Sequence, residues 1–130
     1  MLRLGLTAWA KVAISNAANG ANTTAITFQL KDGAGNNLAA VVPIDVWLSD
    51  AATDIGLTAT TASGAVGAGA SGTDLGALTA KKALRSLTDA TGKYILGVID
   101  TSKTAFFPCC TLPGTGQISV GAQLTAGSYG

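Results

Sequence analysis

A period-two alternation of apolar residues, repeatedly placed beside a short turn sequence, is the feature that most constrains the fold of this chain. Residues Asp89-Ala90-Thr91-Gly92 have the composition of a tight turn, in which Gly92 can take the positive φ that other residues resist. After this turn, one face of a predicted strand is formed by Tyr94, Leu96 and Val98. An earlier predicted strand runs into the turn 32–37 and has its apolar face at Ile26, Phe28 and Leu30. These units predict short buried strands joined by tight turns.

The same alternation predicts the other strands of an all-β domain. They lie at 12–15, 41–48, 79–88, 104–112 and 118–124. Residues 79–88 also fit a short helix, but a strand is favoured because it would pair with 94–99 as a hairpin. Seven or eight short strands with turns between them indicate a β-sandwich. The chain of 130 residues is predicted to form one domain, 1–130, with an N-terminal arm at 1–11.

The predicted strand 41–48 has two unlike faces. One is uniformly apolar and is assigned to the core; it is formed by Val42, Ile44, Val46 and Leu48. The other carries Asp45 and Trp47, so Trp47 points away from the core and is a candidate interface residue. Alternatively, the loop 49–61 folds over Trp47 and buries it locally. Pro43 lacks a backbone donor, so the strand either begins irregularly there or lies at a sheet edge, and we expect the edge.

The composition argues against most kinds of chemistry. Charged residues make up 12% of the chain, about half the usual share, which predicts that partners cover much of the surface. A net charge of +1 gives no field to attract nucleic acid or anionic lipid. No run approaches the roughly 18 apolar residues that span a bilayer. Because the chain has neither His nor Glu, we expect no enzyme activity, no cofactor and no metal site.

The two cysteines, Cys109 and Cys110, are adjacent. Neighbouring residues of a strand point to opposite faces, so one is expected in the core and the other outside it. A disulfide between neighbours would need a distorted peptide bond, and a metal site would need more ligands. Both are therefore predicted to be reduced thiols, which fits assembly in a reducing cytoplasm.

Residues 58–76 are almost wholly Ala, Gly, Ser and Thr and are predicted to be a surface loop. Within them, 67–72 matches the dinucleotide-binding pattern G-x-G-x-x-G. That motif needs a buried strand before it and a helix after it, and neither is predicted here. We expect instead that small side chains let the loop lie flat on a neighbouring molecule. The candidate contact residues of this loop are Ala68, Gly69 and Ala70.

Three segments together resemble the bacterial immunoglobulin-like domain family. They read Ile26-Thr27-Phe28-Gln29-Leu30-Lys31-Asp32-Gly33-Ala34-Gly35-Asn36-Asn37-Leu38, then Val46-Trp47-Leu48-Ser49-Asp50, then Thr88-Asp89-Ala90-Thr91-Gly92-Lys93-Tyr94-Ile95-Leu96. In that family a strand ends in Asp-x-x-Gly-Asn, a valine-rich strand follows, and a Thr-Asp-x-x-Gly turn opens the next hairpin. More narrowly, the chain resembles small tailed-phage virion proteins with this fold. The resemblance covers about 24–100, and the Gly-rich insertion at 58–76 departs from the pattern.

The resemblance implies an immunoglobulin-like β-sandwich and a structural role in a virion, reached from the host cytoplasm during assembly. The expected role is that of a capsid decoration or cement protein, bound to the major capsid protein or other virion proteins as a homo-oligomer or lattice-bound subunit. The alternative is a fibre or adhesin module that recognises a glycan or protein of the host surface. Besides the loop residues above, the candidate anchors are Trp47 and Trp9, since a tryptophan in an arm would be free to make contacts.

Overall fold

The computed structural model describes residues 11–112 and 117–130, so Trp9 lies outside the described residues. The described part contains nine strands and a 3-10 helix at Ala126–Tyr129. The strands are β1 (Lys11–Ala18), β2 (Thr23–Lys31), β3 (Pro43–Ser49), β4 (Val66–Ala68), β5 (Thr73–Thr79), β6 (Ala83–Leu87), β7 (Lys93–Ile99), β8 (Phe107–Thr111) and β9 (Ile118–Val120).

The strands form two antiparallel sheets, which confirms the predicted β-sandwich. The four-stranded sheet has the order β1-β2-β7-β4, and the five-stranded sheet has the order β5-β6-β3-β8-β9. The orders β1-β2-β7 and β3-β8-β9 correspond to strands A-B-E and C-F-G of an immunoglobulin sandwich. The inserted strands β4, β5 and β6 lie together on one side of this frame.

The core lies between the two sheets and follows the period-two pattern of the sequence. Both predicted apolar faces of the four-stranded sheet are buried there, and the rings of Phe28 and Tyr94 have centroids 6.0 Å apart. In β3, Ile44, Val46 and Leu48 are buried and Val42 packs against the same cluster, as the alternation predicts.

The prediction that Pro43 marks an edge strand is wrong, because β3 lies between β6 and β8. Pro43 is instead the first residue of β3, where a missing donor costs least. Just before it, Thr88 holds the chain: its Oγ1 accepts a bond from the Val42 N–H at 2.8 Å and donates to the Ala40 carbonyl at 2.7 Å.

A strand does form within 79–88, but its predicted hairpin with 94–99 is wrong. β6 pairs with β3 and β5, whereas β7 belongs to the other sheet. The turn at Asp89 has the expected local chemistry, since the carboxylate accepts bonds from the backbone N–H groups of Thr91 and Lys93. The turn therefore carries the chain from one sheet to the other, and local turn chemistry does not distinguish this path from a hairpin.

The loop predicted at 58–76 is not a loop throughout, because β4 and the start of β5 fall inside it. These additional elements account for a strand count of nine rather than seven or eight. The cysteines alternate as expected, with Cys110 in the core and Cys109 on the outer side of β8. The outer thiol is nevertheless buried as well, because Cys109 lies in the sheet between Trp47 and Val120.

Candidate functional site

The outer side of the four-stranded sheet is unusually flat. Positions that alternate with the buried core residues of β1, β2, β4 and β7 point outward there, and many are Gly, Ala, Ser or Thr. We define the small-residue face by the outward residues Ala13, Ser15, Ala17, Ala25, Thr27, Gly67, Gly69, Ile95 and Gly97. None of these residues is charged, and the outward lysines of the sheet lie at one end, at Lys11, Lys31 and Lys93.

A groove crosses the small-residue face where two glycines pair. Gly67 of β4 is the register partner of Gly97 of β7, so neither strand projects a side chain at this point. The groove has a volume of about 230 Å³ and is bordered by Ile99, Val66 and Thr23. A groove of this size in apolar surroundings can receive one large side chain of a partner protein.

The edge strand β4 lies close against β7 because it lacks bulky side chains. A Cβ atom added to Gly69 would lie 3.2 Å from Cγ2 of Ile95, tighter than most real contacts. The backbone continues this pairing beyond the strand, since the Gly69 N–H donates to the Ile95 carbonyl at 2.7 Å. Glycine at this position therefore lets the edge follow β7.

Asp74 of β5 fastens the β4 edge to the rest of the sandwich. Its Oδ2 accepts the Ala68 N–H at 2.7 Å, while its Oδ1 accepts the Tyr94 hydroxyl at 2.6 Å and the Ser86 hydroxyl at 3.1 Å. These donors come from β4 and β7 of one sheet and from β6 of the other. Burial raises the pKa of Tyr94, and the bond to Asp74 raises it further, so this hydroxyl stays protonated and continues to donate.

A second carboxylate, Asp100, holds the segment that leads into β4. It is 1% exposed, and it accepts backbone N–H bonds from Ser63 at 3.2 Å and from Thr104 at 2.9 Å. Burial raises the pKa of Asp100, but the hydrogen bonds from Thr104, Ser63 and Ser102 together outweigh it and hold the pKa below its usual value. The small-residue face is thus supported at both ends of β4.

The structure brings three of the sequence-predicted site residues to one place and separates the others. Gly69 belongs to the small-residue face, Ala68 lies on the inner side of the same edge, beside Asp74, and Ala70 is exposed in the turn after β4. Trp47 lies on the outer side of the five-stranded sheet, on the opposite side of the molecule. These residues therefore do not form one surface.

Trp47 is half-buried, and its indole N–H donates to the Ile55 carbonyl at 3.0 Å. The loop 49–61 therefore reaches Trp47, as the local-burial alternative predicted. The outward residues Ala25 and Gly97 were not predicted as site residues, although their signal is present in the sequence. They occupy the positions between the buried residues of β2 and β7, where the sequence has small residues instead of the charged ones usual on a solvated face.

Within 11–112 and 117–130, no cluster of three or more Cys or Asp side chains is arranged to hold a metal ion. Over the same residues, no helix has the length and apolar character needed to span a membrane. Comparisons of the chain with protein-family models, with curated proteins and with solved structures give no significant match.

Proposed function

We propose that this protein is a non-enzymatic structural subunit of a tailed-phage particle, most specifically a decoration or cement protein of the capsid. The observation that carries the proposal is the small-residue face, an uncharged sheet surface with a groove at the Gly67–Gly97 pair. The choice of a phage particle rests on the sequence resemblance described above, and the choice of a binding role rests on the face.

The face suits contact with a protein more than contact with nucleic acid or lipid. Its centre carries no charge, and its lysines are confined to one end, so it cannot track a phosphate backbone. Gly and Ala side chains have almost no rotamer entropy to lose, so little ordering cost accompanies their burial. A flat, pre-ordered surface of this kind can lie closely against a neighbouring subunit.

In the proposed mechanism, the small-residue face covers the boundary between adjacent capsid subunits. A partner side chain enters the groove beside Ile99, while the backbone of β4 and β7 approaches the lattice without intervening side chains. Because Asp74 and Asp100 fix β4 from both ends, the face is already formed before binding. Attachment then joins neighbouring capsid subunits and resists their separation under internal pressure.

The test uses particles of the phage that encodes this chain, stripped of the protein and then incubated with purified wild type or with Ala25→Arg. Ala25 lies in the centre of the face, between Ala17 and Gly97 in the register, so an arginine there would hold the surfaces apart. We expect occupancy to fall at least about tenfold, corresponding to roughly 1.4 kcal/mol. The matched control is Ala122→Arg, which adds the same side chain at an exposed position after β9.

Three outcomes would contradict the proposal. The protein would be absent from purified particles by mass spectrometry, or Ala25→Arg would bind them as well as the control does. In the third, the isolated protein would bind host cells through its loops and not bind capsids, which would favour the fibre or adhesin alternative. Urea melts of both variants verify that each one is folded.

A further inference from the structure

The strand β5 is an exposed apolar edge that the proposed capsid contact does not use. It is the outermost strand of the five-stranded sheet, and each of its seven residues is exposed. Leu75 is 52% exposed and Leu78 is 58% exposed, among the highest values for large apolar side chains of the described residues. Edge strands that face only water are usually protected by lysine, proline or a covering loop.

Both leucines occupy irregular positions of the strand. In the pairing with β6, Asp74 is opposite Ser86 and Gly76 is opposite Arg85, so Leu75 is an extra residue between them. Ala77 is opposite Leu84 and Thr79 is opposite Ala83, so Leu78 is a second extra residue. A bulge redirects the side chain of its extra residue. Here, two bulges present two leucines, three positions apart, on an edge that has no partner within the described chain.

The order of residues along this edge is complementary to itself. If two copies of β5 lie antiparallel about a two-fold axis between Gly76 and Ala77, Leu75 of each copy is opposite Leu78 of the other. The same axis brings the end of the strand that carries Asp74 beside the end of the other copy that continues into Lys81 and Lys82. Opposite charges therefore meet at both ends of an apolar centre, as a self-complementary two-fold contact requires.

We propose that β5 is a homodimer contact, in which Leu75 and Leu78 of one copy pack against Leu78 and Leu75 of a second copy. The bulges interrupt regular pairing, so the contact consists mainly of leucine side chains and the charged ends rather than a continuous ladder of hydrogen bonds. The small-residue face lies on the other sheet and stays free, so this inference does not depend on the proposed capsid role.

The experiment is sedimentation velocity of the purified chain over a concentration series, compared with the double variant Leu75→Ser/Leu78→Ser. We expect the wild type to dimerise reversibly and the double variant to have a dissociation constant at least about a hundredfold higher, because four central leucines are lost per dimer. Leu57→Ser is the matched control, since Leu57 is an exposed leucine (45%) outside β5, and it should dimerise like the wild type.

The register is tested by oxidising an equimolar mixture of the Leu75→Cys and Leu78→Cys variants. The mixed disulfide dimer should form in preference to either disulfide homodimer, because only Leu75 and Leu78 are opposite each other. A wild type that stays monomeric at all concentrations would overturn the proposal. So would a dimer that survives the double substitution, or one that is lost on Ile118→Ser at the β9 edge instead. Urea melts of each variant are needed alongside, and they should match the wild type because the substituted leucines are exposed.

Discussion

Removal of the Asp74 carboxylate should destabilise the domain far more than its exposed position suggests. Two of its three donors, the hydroxyls of Tyr94 and Ser86, have no exposed surface. The substitution Asp74→Ala leaves both without their acceptor, at about 1 to 3 kcal/mol for each buried unsatisfied group. Because Asp74 itself is exposed, water can partly replace it, so we expect the lower part of the range, about 3 kcal/mol in total. That is a large share of the roughly 5 to 15 kcal/mol by which a domain is stable.

The assay is equilibrium urea unfolding of four proteins: wild type, Asp74→Ala, Tyr94→Phe and the double variant. Tyr94→Phe alone should cost about 1 kcal/mol, since it deletes one hydrogen bond but no buried volume. In the double variant the unsatisfied Tyr94 hydroxyl is also gone, so the two losses should fall short of additivity by at least about 1 kcal/mol. The charge control is Asp54→Asn, which removes one carboxylate from an exposed loop position and should change stability by less than about 0.5 kcal/mol.

Two results would refute the reasoning about Asp74. A loss below about 1 kcal/mol for Asp74→Ala would mean that water fully satisfies the hydroxyls. Strict additivity of the two single variants would mean that Asp74 and Tyr94 do not interact in solution.

Three further predictions concern acid stability, backbone geometry and thiol reactivity. Since the folded pKa of Asp100 is depressed, its stabilisation is present above the unfolded value of about 3.9 and is lost as pH falls through the folded pKa; urea melts from pH 7 to pH 3 should show a shallower acid loss in Asp100→Asn than in wild type. Gly92→Ala should cost about 3 kcal/mol or more because the added Cβ would overlap the Leu38 carbonyl at positive φ, whereas Gly35→Ala, also at positive φ but in open space, should cost about 1 kcal/mol in the same melts. Burial raises the pKa of Cys109 to about 11, so a thiol reagent at pH 8 should label Cys109 only after denaturant is added; rapid labelling of the native protein would contradict its burial.

The inward half of each strand could be predicted from the sequence because the period-two pattern is a direct record of burial. Ile26, Phe28 and Leu30 alternate with polar or small residues, and the structure places all three in the core. The strand β4 could not be predicted in the same way, since Val66 is its single large residue. Its identity depends on a tertiary partner, because it becomes a strand by pairing with β7. Composition alone reads such a segment as a loop.

Sheet assignment was beyond local reasoning for a related reason. The turn after Thr88 has the sequence of a hairpin turn, and Asp89 makes the bonds expected of one, yet the flanking strands belong to different sheets. What directs the chain across is the anchoring of Thr88 to Ala40 and Val42, residues more than 40 positions earlier in the sequence. Contacts at that separation leave no periodic signal near the turn.

The same scarcity of large side chains that hid β4 from sequence reasoning also explains how a small-residue face could bind at all. A surface of Gly and Ala offers little apolar area per residue, so its affinity cannot come from a few deep anchors. Its advantage lies in the cost of binding, because side chains without rotamers lose no entropy and a pre-formed edge needs no rearrangement. Asp74 and Asp100 supply that pre-formed edge by holding β4 through hydrogen bonds. A loss of particle binding in Asp74→Ala larger than its loss of stability explains would therefore connect the rigidity of β4 to attachment.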